Sequence, residues 1–108
     1  MDPGASNKYK IRRAALEQLP ADFRCTDRPV TVQLSCRFAV PKSRSSKLRG
    51  QVCAQYKDVD NIAKEYMDSL TGLVWDDDRQ VTMLYIEKRF ADPGEPNEPQ
   101  VDMVITIS

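Results

Sequence analysis

Five aspartates bracket one short stretch of this chain. Asp58 and Asp60 stand two residues apart, and Asp76, Asp77 and Asp78 form a run. Carboxylates this crowded repel one another unless a cation lies among them, and oxygen-only clusters suit Mg²⁺ or Mn²⁺. Between the two clusters, Asp60, Lys64 and Asp68 recur at i, i+4 and i+8 and share one helical face. Lys64 then stands one turn from the would-be ligands, where an ammonium can hold a phosphate or neutralise developing charge. If the helix packs back so that the turn at 76–78 meets its start, a third carboxylate joins the pair. Each residue also has an ordinary reading on its own. Asp58 or Asp60 can be a helix N-cap, residues 76–78 a solvated turn, and Lys64 a salt-bridge partner of Asp60 or Asp68. Two clusters straddling one short helix bring the metal site level with these ordinary readings. An EF-hand does not fit: begun at Asp58 it needs Gly where Ala63 stands and Glu where Ser69 stands, and begun at Asp76 it needs Gly at Val81.

Composition narrows the chemistry further. The 108 residues include no histidine, which removes imidazole triads, histidine-ligated zinc and a histidine general base. Cys25, Cys36 and Cys53 are odd in number and lack the C-x-x-C spacing, so neither a disulfide framework nor a zinc ribbon is expected. No apolar run reaches membrane-spanning length and the first residues do not resemble a signal peptide, so an intracellular, cytoplasmic protein is expected. The net charge is zero, yet residues 1–57 hold 12 Lys/Arg against 4 Asp/Glu (+8) and residues 58–108 hold 4 against 12 (−8). A basic half beside an acidic half fits a protein that grips a polyanion while holding cations at a reaction centre. It also fits charges merely interspersed over one folded surface.

The elements that must position these residues form a small α+β single domain over 1–108, a mixed sheet packed by two helices. Residues 7–19 read as a helix, with Ile11, Ala15 and Leu19 on one face, Ser6 or Asn7 as cap and Pro20 as stop. Residues 29–40 alternate as a strand with Val30, Val32, Leu34, Cys36, Phe38 and Val40 inward. Residues 42–50 form a basic loop, and 52–56 a short strand or extended segment. A second helix over about 60–71 buries Ile62, Ala63, Tyr66, Met67 and Leu70, with Gly72 as left-handed C-terminal cap. Residues 80–89 are apolar on both faces, as in a strand covered on both sides. The Pro-rich 92–99 reads as a surface loop, and 101–107 as a strand with Val101, Met103, Ile105 and Ile107 inward.

Taken together, Asp58-Val-Asp60-Asn61-x-x-Lys64-x-x-x-Asp68-x-Leu70-x-Gly72, then Asp77-Asp78-x-Gln80 and a strand ending Glu87-Lys88-Arg89, resembles the RusA family of Holliday junction resolvases. The match is close over about 56–90, and the flanking strands follow the family's order. The resemblance implies a homodimeric, Mg²⁺-dependent endonuclease, with Mn²⁺ as a substitute, that cuts four-way DNA junctions by paired symmetric nicks. It places the essential acids and metal ligands on Asp58, Asp60 and Asp78, and the functional lysine on Lys64. Lys57 falls where a phosphate contact is expected. Lys42, Arg44, Lys47 and Arg49 of the loop, with Arg12 and Arg13 of the first helix, would grip DNA backbones without reading sequence. The implied setting is DNA-associated and often phage or prophage. Family members usually begin with a strand before the first helix, which this chain lacks. A scaffold that binds DNA structures without cutting is the alternative.

Overall fold

The structure is a computed structural model and describes residues 3–41, 46–54 and 56–108. Lys42 and Arg44 fall outside the described residues. Helix α1 (Pro3–Gln18) is followed by strand β1 (Val30–Phe38), a 3₁₀ turn (Ser46–Leu48), helix α2 (Val59–Leu70), a second 3₁₀ turn (Asp78–Gln80) and strands β2 (Val81–Phe90) and β3 (Gln100–Ile107). The sheet order is β2-β1-β3, with β1 parallel to β2 and antiparallel to β3. This is the expected α+β domain with a mixed sheet. No helix of the described residues is long and apolar enough to cross a membrane.

The central strand carries the core because its alternation is strict. Val30, Val32, Leu34 and Cys36 are buried and pack with Ile62, Leu70, Val74 and Trp75. From α1, Ile11, Ala15 and Leu19 pack against the same cluster. A smaller cluster of Val40, Cys53 and Phe90 closes the other end. Register puts Leu84 and Ile86 of β2, and Met103 and Ile105 of β3, on the same side as Val32 and Leu34. The cysteines form no disulfide among the described residues; Cys36 and Cys53 are buried and Cys25 is exposed.

Two expectations are corrected. The first helix starts at Pro3, so Ser6 and Asn7 lie within it and do not cap it. Proline suits the first helical position, where its missing N–H costs nothing. Of the two readings of 52–56, the described residues 52–54 follow the extended segment, with one bridge, Val52 to Arg89, and Cys53 N donating to Lys88 O at 3.0 Å. The sheet is not covered on both sides. Met83, Tyr85 and Val104 on the face away from the helices are 63%, 55% and 57% exposed, because both helices lie on one side and the 92–99 loop meets the other only at the end that carries Arg37 and Arg89.

The 92–99 loop is firmly tied down. Arg89 donates to Glu95 Oε1 at 2.6 Å and Oε2 at 3.1 Å, Asp92 N donates to Oε1 at 2.8 Å, and Arg37 approaches Oε2 at 3.4 Å. Asn97 exchanges hydrogen bonds with both backbone groups of Val40. Gly50, at φ +77°, passes so close that a Cβ would lie 2.6 Å from Asp92 Oδ1. The Arg89 hydrogen bonds hold the Glu95 carboxyl down at about 2 rather than 4.5. A carboxyl depressed in the folded state stabilises the fold above its unfolded value and loses that contribution as pH falls through the folded one. Between pH 4.5 and 2, the melting temperature of the parent protein should therefore fall further than that of Glu95→Gln. Parallel curves would show that the loop anchor does not contribute to acid stability.

Candidate active site

The chain reaches the first aspartates through a strained bend. Tyr56 has φ +70°, a left-handed conformation unusual for a bulky residue, and its ring stacks on Phe38 at 5.1 Å with 13° between planes. This fastens the entry of α2 to the end of β1. Asp58 then occupies the N-cap position, but its side chain makes no capping bond. Asp60 lies in the first turn. The helix dipole favours both negative charges, and both carboxylates are exposed, without hydrogen bond or ion pair among the described residues.

Lys64 and Asp68 continue the exposed face one and two turns on, and Lys64 forms no salt bridge with either aspartate. The ordinary roles open to Asp58, Asp60 and Lys64 are thus not taken up. Lys57 differs: its Nζ pairs with Glu65 Oε2 at 2.6 Å.

The second cluster is built differently. Gly72, at φ +88°, reverses the chain beyond α2, and its N–H donates to Trp75 O. Asp77 caps the following 3₁₀ turn, accepting from Arg79 N at 3.0 Å, while Gln80 Oε1 accepts from Asp77 N at 2.7 Å. Asp76 accepts from the Cys25 thiol at 3.1 Å. Lost hydration first, and this carboxylate second, push that thiol's pKa up. Asp78 is hydrogen-bonded by the Thr71 hydroxyl at the C-terminal end of α2.

This placement overturns one expectation. Asp58 and Asp60 stand at the start of α2 and Asp78 beside its end, so the helix does not fold back to unite them. Twelve helical residues separate the two ends, about 18 Å at 1.5 Å per residue. Among the described residues, no three acidic or cysteine side chains are close enough to hold one ion.

The basic residues assigned to DNA lie in varied settings. Arg12 donates to Ser69 O at 2.9 Å and ties α1 to α2. Arg13 pairs with Glu17 at 3.5 Å on an exposed helix face. Arg49 donates to the carbonyls of Asp92 and Glu95 at 2.5 and 2.7 Å. Lys47 is exposed in the 3₁₀ turn before Gly50.

The family model of Endodeoxyribonuclease RusA matches residues 1–97. The chain belongs to the RusA family of Holliday junction endodeoxyribonucleases. A search of curated proteins found no match.

Sequence reasoning gave no role to one residue in the RusA pattern. Gln80 Nε2 donates to the carbonyls of Thr26 and Arg28, each at 2.9 Å, while its Oε1 holds Asp77 N. Its amide therefore locks the turn that carries Asp78. The signal was readable, since Asp77-x-x-Gln80 has the spacing of a capping box. Gln80→Ala leaves three backbone groups without their partner, a loss of about 1–3 kcal/mol and roughly 5 °C or more in melting temperature for a domain of this size. Junction cutting should fall with it. An unchanged melt would show that water replaces the amide fully.

Proposed function

We propose that this protein is a Mg²⁺-dependent endonuclease that resolves four-way DNA junctions by paired symmetric nicks, acting as a homodimer. The observation that carries the reading is the pair Asp58 and Asp60, exposed at a helix start with Lys64 one turn away, all three without a partner among the described residues, in a chain of an endodeoxyribonuclease family.

The donor set fits a hard divalent cation. Asp58 and Asp60 offer carboxylate oxygens with no competing partner among the described residues, and such cations take oxygen ligands. The third ligand proposed, Asp78, lies too far along the same helix to join them. A two-fold dimer can remove that gap. Two α2 helices placed antiparallel bring the start of one beside the end of the other, so that Asp58 and Asp60 of one protomer meet the partner subunit's Asp78, twice per dimer. Exposed apolar residues support contact near this face. Val59 adjoins Asp58 and is 47% exposed, and Leu84, on the helix side of edge strand β2, is 39% exposed. A radius of gyration of 15.2 Å, against about 13 Å expected for a compact chain of this length, also fits a protomer with unburied surface.

When bound, the metal would activate a water and stabilise the phosphorane-like charge of hydrolysis. The chain's own residues supply the rest. Asp58 and Asp60 hold negative charge at a fixed point, and Lys64 meets the scissile phosphate's oxygens. Arg13 and Lys47 add sequence-independent attraction to backbone phosphates, which weakens with salt. Arg12, Arg49 and Lys57, engaged within the fold, contribute mainly through their field.

The experiment is incubation of a labelled synthetic four-way junction with the protein in Mg²⁺, beside EDTA and a linear duplex of the same sequence. Symmetric paired nicks in the junction alone, absent with EDTA, are expected. Equal cutting of duplex, or cutting in EDTA, would overturn the reading.

A further inference from the structure

Trp75 is the only tryptophan in the chain and is fully buried. Its indole Nε1–H donates to Thr71 Oγ1 at 3.0 Å. That same oxygen lies 2.7 Å from the carbonyl oxygen of Met67 and is hydrogen-bonded to Asp78 Oδ1. A hydroxyl carries one proton, and one of its lone pairs is already taken by the indole. The proton therefore serves the carbonyl or the carboxylate, not both. While Asp78 keeps its full negative charge, the charge-assisted bond to the carboxylate is the stronger.

We infer that Thr71 is a positioning residue for Asp78, held from behind by Trp75, its hydroxyl holding Oδ1 and leaving Oδ2 for the cation. This rests on Asp78 being a metal ligand, as proposed above. Asp78 is exposed at the tip of a turn, where a free carboxylate would sample several rotamers, and metal sites depend on such outer partners to fix their ligands. The connection also gives the buried indole a direct report on a surface carboxylate.

The full chain, uniformly ¹⁵N-labelled, has a single indole N–H cross-peak, which can be followed without DNA. Asp78→Asn should shift that peak in metal-free buffer, whereas Asp68→Asn, an exposed charge on the last turn of α2 without a partner among the described residues, should leave it in place. Mg²⁺ should shift the peak of the parent protein and not that of Asp78→Asn. In junction cutting, Thr71→Val should lose about tenfold to a hundredfold and need more Mg²⁺, with junction binding unchanged and Thr71→Ser restoring both. Thr71→Val leaves a buried indole donor without acceptor and can fail to fold, but the Asp78→Asn comparison needs no change at Thr71. An indole peak unmoved by Asp78→Asn overturns the inference and says nothing against the nuclease. Thr71→Val cutting at the parental rate overturns it equally. A peak that moves in an Asp78→Asn variant that still cuts normally would sink Asp78 as a ligand, and the positioning role with it, while the hydrogen-bonded link stands.

Discussion

An Asp60→Asn variant should bind a four-way junction at least as tightly as the parent protein and leave it uncut. The substitution touches little of the fold. Asp60 is exposed and makes no hydrogen bond or ion pair among the described residues. What it loses is the attraction of a charge in the first helical turn, about 0.3–1 kcal/mol, partly offset by relief of repulsion from Asp58. The melting temperature should move by a few degrees at most. For the reaction, losing one of two adjacent anionic ligands removes several kcal/mol of metal-borne stabilisation, or about 10³-fold in rate at 1.36 kcal/mol per decade. Binding goes the other way because one negative charge facing the DNA phosphates is gone. Cleavage and gel-shift assays on one preparation separate the two effects. Parental cutting by a folded Asp60→Asn protein would remove the metal-site mechanism. Loss of binding together with cutting would instead make Asp60 a DNA-contacting or structural residue.

Local pattern served the sequence reading well where one element decided the outcome. The alternation from Val30 to Cys36 fixed both a strand and its buried face, since period-two patterning admits little else. The stripe of α2 and the left-handed glycine at its end were equally legible. The residues that misled did so because their environment depends on where the rest of the chain goes. Met83 and Tyr85 look like a second buried face, and only the placement of both helices on one side leaves them in water. Lys57 and Arg49 look like free cations, yet Glu65 and two loop carbonyls receive them. No local signal announces a partner 8 or 43 residues away.

The aspartates show the same limit at the site itself. Their types and spacing were enough to nominate Asp58, Asp60 and Asp78 as ligands. Their distance was not readable, because it is set by the tight reversal at Gly72 and by the Thr71 bond to Asp78, which keep the second cluster at the far end of α2. A motif fixes which groups a reaction needs, but not whether a single chain gathers them.

Subunit mixing should decide where they gather. Asp60→Asn and Asp78→Asn chains, co-expressed with different affinity tags and purified through both, yield a dimer carrying one defect in each subunit. Each variant alone should be inactive. If every site takes Asp58 and Asp60 from one protomer and Asp78 from the other, one site of the mixed dimer collects both defects and the other has none. About half the parental site number then returns, and it returns as unpaired nicks, because only one of the two symmetric strands faces an intact centre. An Asp58→Asn and Asp60→Asn mixture is the necessary comparison. Those two positions belong to the same cluster, so each site of that dimer keeps one defect and nothing is restored. If instead all three acids act within one protomer, both mixtures stay inactive, and α2 must rearrange by about its own length, roughly 18 Å, to bring them together. Such a rearrangement would have to break the Thr71 bond to Asp78 and the Gln80 bonds to Thr26 and Arg28. The shared site leaves all of these in place.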